Sequence, residues 1–189
     1  SKSNEIKAIP LLLDLLTLEG CTITIDAAGC HETILQKITE KGGDFVIGLK
    51  KNQPSLYQAV YAYSKAHGEV ANHLIKDSFE ETHGRLVRRR YFAYPLPDES
   101  KPFALPGIKT IIATETISSI NNKEGVSAEW RYYVTSHEAD HPKLARYVRE
   151  HWSIENEYHW QLDVHLNDDK DKKYDEVAAE NFARTKRLL

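Results

Sequence analysis

Two short β-branched runs constrain the fold more than any other feature of the chain. Cys21-Thr22-Ile23-Thr24-Ile25-Asp26 and Asp44-Phe45-Val46-Ile47-Gly48-Leu49-Lys50 both read as buried strands. Between them, Ala27-Ala28-Gly29 turns the chain into a helical pattern from His31 to Lys41, with Ile34, Leu35 and Ile38 on one face, and Gly42-Gly43 ends it. Strand, helix and strand at this spacing form a βαβ unit, so the core sheet must hold parallel strands. Upstream, Ile6, Ile9, Leu12, Leu13 and Leu16 repeat with helical spacing and stop at Gly20.

After a helix predicted near Ser55 to Ala66 the character changes. Asn72 to Phe79, Leu86 to Tyr94, Lys109 to Ser118 and Glu129 to Thr135 read as strands, with turn chemistry at His83-Gly84 and Asn121-Asn122. Pro95, Pro97, Pro102 and Pro106 mark a loop between the second and third of them. From Pro142 the pattern is helical again, through Leu144, Tyr147, Val148 and Trp152. The expected organisation is α/β: a βαβ part over residues 1–66, an antiparallel β-meander insert over 67–136, and a helical part over 137–189.

Composition removes several classes. With 189 residues, 41% hydrophobic and 28% charged, the chain can bury a substantial core, which excludes a disordered or fibrous chain. The longest uncharged apolar stretch, Ile9 to Leu13, is too short to span a bilayer, and the polar start at Ser1-Lys2-Ser3-Asn4-Glu5 carries no signal-peptide pattern. Two cysteines, Cys21 and Cys30, suit a reducing cytosol and have no metal-ligand spacing. A net charge of −3 argues against an indiscriminate nucleic-acid binder. It does not exclude a local one, because residues 81–136 carry 8 basic and 6 acidic side chains, with the excess at Arg85, Arg88, Arg89 and Arg90.

Four groups of residues could carry chemistry. Asp26 closes an apolar strand and is followed by small residues, and ligands of open α/β sheets collect at the carboxyl ends of strands. Its carboxylate is either a hard oxygen ligand for Mg²⁺ or a cap on the next helix. His151, Glu155 and His159 fall on one helix face, with Trp152 and Leu162 nearby. That face is a catalytic surface, a core helix with rim hydrogen bonds, or a Zn or Fe site. Against the last, ligands at i, i+4 and i+8 span about 12 Å, too far to converge on one ion. Lys50-Lys51-Asn52-Gln53 follows the second strand and is either a phosphate and base contact or an exposed polar turn. In the His83-Gly84-Arg85 hairpin, Arg88 and Arg90 share a face and Arg89 points opposite, as phosphate forks or as guards of an exposed edge strand.

Taken in order, these motifs resemble the DDE-type transposases of bacterial insertion sequences, specifically the H-repeat-associated group. The matches are Lys2-Ser3-Asn4-Glu5-Ile6 with Ala8-Ile9-Pro10, Thr24-Ile25-Asp26-Ala27, Lys50-x-Asn52-Gln53 and His83-Gly84-Arg85 with Arg88 or Arg90. The longest is Arg149-x-His151-Trp152-x-Ile154-Glu155-Asn156-x-x-His159-Trp160-x-Leu162-Asp163-Val164. The resemblance implies a ribonuclease-H-like core in which three carboxylates bind two divalent ions, Mg²⁺ or Mn²⁺, for in-line phosphoryl transfer on DNA. Asp26 matches the second carboxylate and Glu155 the third. Tyr147 and Arg149 resemble the Tyr and Arg that precede the catalytic Glu in related enzymes, and Leu162 stands where a Lys is frequent.

The resemblance further implies that His151, Trp152, Asn156, His159 and Arg149 shape the site. Lys50, Lys51, Asn52, Gln53, His83, Arg85, Arg88 and Arg90 would hold DNA, both element ends and target, in a bacterial cytoplasm with no membrane contact. The family's first catalytic Asp lies upstream of Lys-Ser-Asn-Glu-Ile, so the expectation is a truncated core lacking its opening strands. Such a core would leave one edge of Thr22–Asp26 unpaired, to be covered by homo-oligomerisation or strand exchange. It would also turn over little by itself. The rival expectations are a DNA-binding or self-associating remnant without catalysis, and a small metallohydrolase built on His151 and His159.

Overall fold

In the computed structural model, residues 2–50, 53–68, 73–82, 85–96, 105–120 and 126–154 are described. The chain divides at Tyr147/Val148 into two units, and the sheet with its packed helices belongs to the first. Helix α1 (Lys2–Leu15) runs through Pro10 and ends ahead of Gly20. At Gly20 the backbone takes a φ of 70°, a conformation glycine adopts without strain, and its N–H donates to the Gly42 carbonyl. The chain thereby reverses into strand β1 (Thr22–Ile25).

A 3-10 turn (Ala27–Gly29) and helix α2 (Glu32–Glu40) cross over to strand β2 (Asp44–Leu49), which pairs with β1 in parallel, Thr22 with Asp44 through Ile25 with Ile47. The βαβ unit expected from the two β-branched runs is therefore present. Helix α3 (Pro54–His67) begins with a proline in its first turn, where the missing N–H costs nothing. Four strands follow: β3 (Leu74–Thr82), β4 (Arg85–Pro95), β5 (Thr110–Ile120) and β6 (Val126–Thr135). They form an antiparallel meander.

The meander does not fold back into a sheet of its own. β6 pairs antiparallel with β2, Ile47 facing Val134, so all six strands make one mixed sheet in the order β1-β2-β6-β5-β4-β3. The reason lies in β2, whose Phe45, Val46, Ile47 and Leu49 are all buried. Such a strand needs neighbours on both sides, and β1 supplies one.

One face of this sheet carries the core. Phe45 and Ile47 of β2, Tyr132 and Val134 of β6, Ile111 and Ala113 of β5, and Phe92 and Tyr94 of β4 alternate inward. Against them pack Ile34, Leu35 and Ile38 of α2, Leu56 and Val60 of α3, and Leu13 and Leu18 from α1 and the turn after it. Each fully buried Ile, Leu or Phe contributes roughly 1.5–3 kcal/mol of transfer free energy. Two features stay unpartnered. β1 has a strand partner on one side alone among the described residues, and α1 with the residue after it exposes Leu11, Leu12, Leu15 and Leu16, Leu15 to 84%. After a turn, helix α4 (Leu144–Ser153) crosses the division between the two units.

Candidate functional site

Asp26 sits where β1 ends, with an extended backbone at φ −70° and ψ 179°. One carboxylate oxygen, Oδ1, accepts from the Ala28 N–H at 3.0 Å, so this side chain does cap a helical element, though it is the 3-10 turn rather than α2. One of the small residues after it, Gly29, is a steric requirement. A Cβ at Gly29 would run into the Cγ2 methyl of Ile25, the last residue of β1. The turn can fold tightly over the strand end only without a side chain there.

The other oxygen, Oδ2, lies 4.0 Å from Lys50 Nζ, with side chains 45% and 67% exposed respectively. Because β1 and β2 are parallel, Asp26 and Lys50 both stand at carboxyl ends, side by side. At this exposure the ion pair is worth at most about 1 kcal/mol. It orients the carboxylate more than it stabilises the fold. Gln53 closes the same corner by donating its side-chain amide to the Cys30 carbonyl. Cys30 itself is buried, and burial pushes its thiol up to about 12, so it is no nucleophile at neutral pH. Asp26, Lys50 and Gln53 thus meet at one end of the parallel pair. Lys51 and Asn52 lie outside the described residues.

Arg88, Arg89 and Arg90 of β4 alternate as their spacing predicts, but none of the three stands as a bare fork. Arg88 grips Asp77 of β3 with both arms, Nε to Oδ1 at 3.0 Å and Nη2 to Oδ2 at 2.6 Å, and lies over the Phe79 ring. Those hydrogen bonds hold the Asp77 carboxyl below the usual carboxylate range and push the Arg88 guanidinium up. On the same face Arg90 pairs with Glu115 of β5 through Nε at 2.6 Å and through Nη2. On the opposite face Arg89 meets Glu80. β4 is moreover an inner strand, with β3 at the sheet margin, so the guarded-edge reading belongs to β3. His83 lies outside the described residues, as does the side chain of Arg85, the first residue of β4.

The third group is described in part. Arg149, His151 and Trp152 lie on α4, the Arg149 guanidinium 4.9 Å from the centre of the Trp152 ring, and Ser153 Oγ donates to the Arg149 carbonyl at 3.2 Å. Glu155, Asn156 and His159 lie outside the described residues. Among the described residues no three His, Cys, Asp or Glu side chains are placed to hold one metal ion. Nor is any described helix long and apolar enough to cross a membrane.

One cluster escaped the reading of the sequence: His137, His141 and Tyr147 stack on one another beside Asp44 and Thr22. The available signal was register, since Thr22 and Asp44 begin the two parallel strands and His137 follows the end of β6.

Comparison with known proteins covers the whole chain. Residues 1–188 match the family model described as "Transposase DDE domain". The chain is 37% identical over 189 residues to "Putative protein YbfL" of Escherichia coli K12, covering 96% of this chain and 50% of that one. It is 36% identical to "H repeat-associated putative transposase YhhI" of the same strain, with the same coverage. To "Putative transposase YncI" of Escherichia coli O157:H7 it is 37% identical over 196 residues, 100% of this chain and 49% of that one. The chain therefore spans about half the length of the curated relatives it matches.

Proposed function

The chain belongs to the transposase DDE domain family, and from that premise we propose that it is part of a ribonuclease-H-like catalytic domain for metal-dependent strand cleavage and transfer on DNA. The observation that carries this reading is Asp26. It is a carboxylate at the carboxyl end of a parallel pair, with one oxygen spent on the turn and the other facing solvent and Lys50. A hard, accessible carboxylate oxygen suits Mg²⁺ or Mn²⁺, and Asp26 and Glu155 would hold the ions. Bound there, divalent ions would stabilise charge on the attacking and leaving oxygens of a phosphodiester.

The chain's own residues would do the rest. Lys50, beside Asp26, would receive a DNA phosphate, and Lys51, Asn52 and Gln53 would extend that contact. His83, Arg85, Arg88 and Arg90 would form a second contact along β4. Arg88 and Arg90 each carry a carboxylate partner, so a phosphate there competes with Asp77 or Glu115 for the guanidinium. Arg149, His151, Trp152, Asn156 and His159 would shape the surface around Glu155. The chain spans about half the length of the curated relatives it matches, and weak turnover by this chain alone is part of the proposal.

A second reading, a DNA-binding or self-associating remnant without catalysis, has a specific observation in its favour. The outer edge of β1 has no strand partner among the described residues and the leucine stripe at α1 is exposed, and a second copy could cover both. The test is Mn²⁺-dependent nicking of DNA by the purified chain, with Asp26→Asn and Glu155→Gln as controls. Nicking lost in both variants supports catalysis; salt-sensitive DNA binding without nicking, in a dimeric chain, supports the second reading.

A further inference from the structure

At the end of the sheet opposite Asp26, three strands are joined by one side chain. Register places Thr22 of β1 beside Asp44 of β2, and Val46 beside Thr135 of β6, so His137 continues that row two residues on. His137 Nε2 hydrogen-bonds Thr22 Oγ1 at 2.9 Å, and its Nδ1 lies 3.8 Å from Asp44 Oδ2. Ser136 locks the same aspartate, donating from Oγ to Oδ1 at 2.7 Å. The imidazole is 9% exposed and stacks on His141, ring centres 4.1 Å apart, while Tyr147 of α4's first turn stacks on both.

We propose that His137 is a pH-sensitive rivet, which when neutral clamps the first residues of β1 and β2 to the turn before α4 and when protonated loosens that clamp. The charged and titratable groups facing it decide the sign. Asp44 favours the imidazolium; His141, when protonated, and Lys109, whose ammonium pairs with Glu138, oppose it, and Asp140 lies on the turn nearby. Burial is the largest influence and also opposes the charge, so the His137 imidazole titrates below the ordinary histidine value of about 6.5. A native state that binds the proton less well than the unfolded chain loses stability as pH falls. The contribution is complete above about 6.5 and drains away below it.

The clamp matters because β1 is the sheet's outermost strand on this side and ends in Asp26. Its first backbone contact with β2, Asp44 N–H to the Cys21 carbonyl at 2.8 Å, sits directly under the rivet. The inference is independent of the DNA reading.

The test pairs histidine-ring NMR titration with amide exchange at Asp44. His137 should titrate below the ordinary value. Protection of the Asp44 N–H, corrected for intrinsic exchange, should fall severalfold from pH 7.5 to 5.5, while amides at the sheet centre hold. His141→Gln, a change on the turn, should raise the His137 midpoint and shrink the loss; His137→Gln should give low, pH-independent protection. Protection of Asp44 that is flat with pH, or a His137 midpoint unmoved in His141→Gln, would overturn the proposal even if His137→Gln does not fold.

Discussion

Replacing Gly29 with alanine sets two well-characterised effects against each other. Gly29 has no left-handed backbone, so alanine is conformationally acceptable there. On backbone entropy alone the change should stabilise the protein by about 0.4–1 kcal/mol, through a less flexible unfolded chain. The packing says the reverse. The new methyl would overlap Ile25 Cγ2 and approach Ile25 Cβ to 3.0 Å, and Ile25 is a branched side chain already packed against the core cluster. Relief requires rotating Ile25 off its rotamer or lifting the turn, and overpacking of this kind costs about 1–3 kcal/mol. Overlap should win, leaving a net destabilisation of roughly 1–2 kcal/mol. Urea unfolding of Gly29→Ala, Ile25→Ala and the double variant measures it. Ile25→Ala removes Cγ2, so Gly29→Ala should cost at least about 0.5 kcal/mol less in that background. An additive cycle, or a more stable Gly29→Ala protein, would refute the steric account and with it the reason for a glycine at this position.

Other perturbations separate by burial. Arg90→Ala removes the hydrogen-bonded partner of Glu115, whose side chain is 8% exposed, and should cost about 3 kcal/mol by denaturant midpoint. Arg88→Ala, at a more open pair, should leave the midpoint nearly unchanged. Thiol labelling at pH 8 should modify exposed Cys21 at once; with its thiol raised to about 12, Cys30 stays protonated and should react only at the rate at which the fold opens.

What could be read from the chain itself follows from the range of the interactions. The βαβ unit was legible because its evidence is local: β-branched residues, a helical stripe, glycines at the turns. The strands of the meander were legible for the same reason. The joining of β6 to β2 was not, since it links residues some 90 apart and depends on both being buried, which composition does not encode. Spacing placed Arg88 and Arg90 on one face correctly, yet their charge is answered by Asp77 and Glu115, partners chosen by strand register. The identity of Asp26 as a strand-end carboxylate was readable, whereas its neighbour across β1 and β2, Lys50, required knowing that the strands lie side by side. His137 was invisible for a like reason, its contacts coming from β1, β2, the turn after it and α4.

The unbroken sheet also sets a length. From β1 to β4 there are four strand-to-strand steps in the order β1-β2-β6-β5-β4, and at about 4.8 Å each they amount to roughly 19 Å. That is close to the rise of about six base pairs at 3.4 Å per step. On the proposed reading, the parallel-strand corner and the arginine-bearing strand would act as two marks on a ruler. A duplex lying across the strands would meet them about half a helical turn apart, where opposite sides of the double helix face the protein.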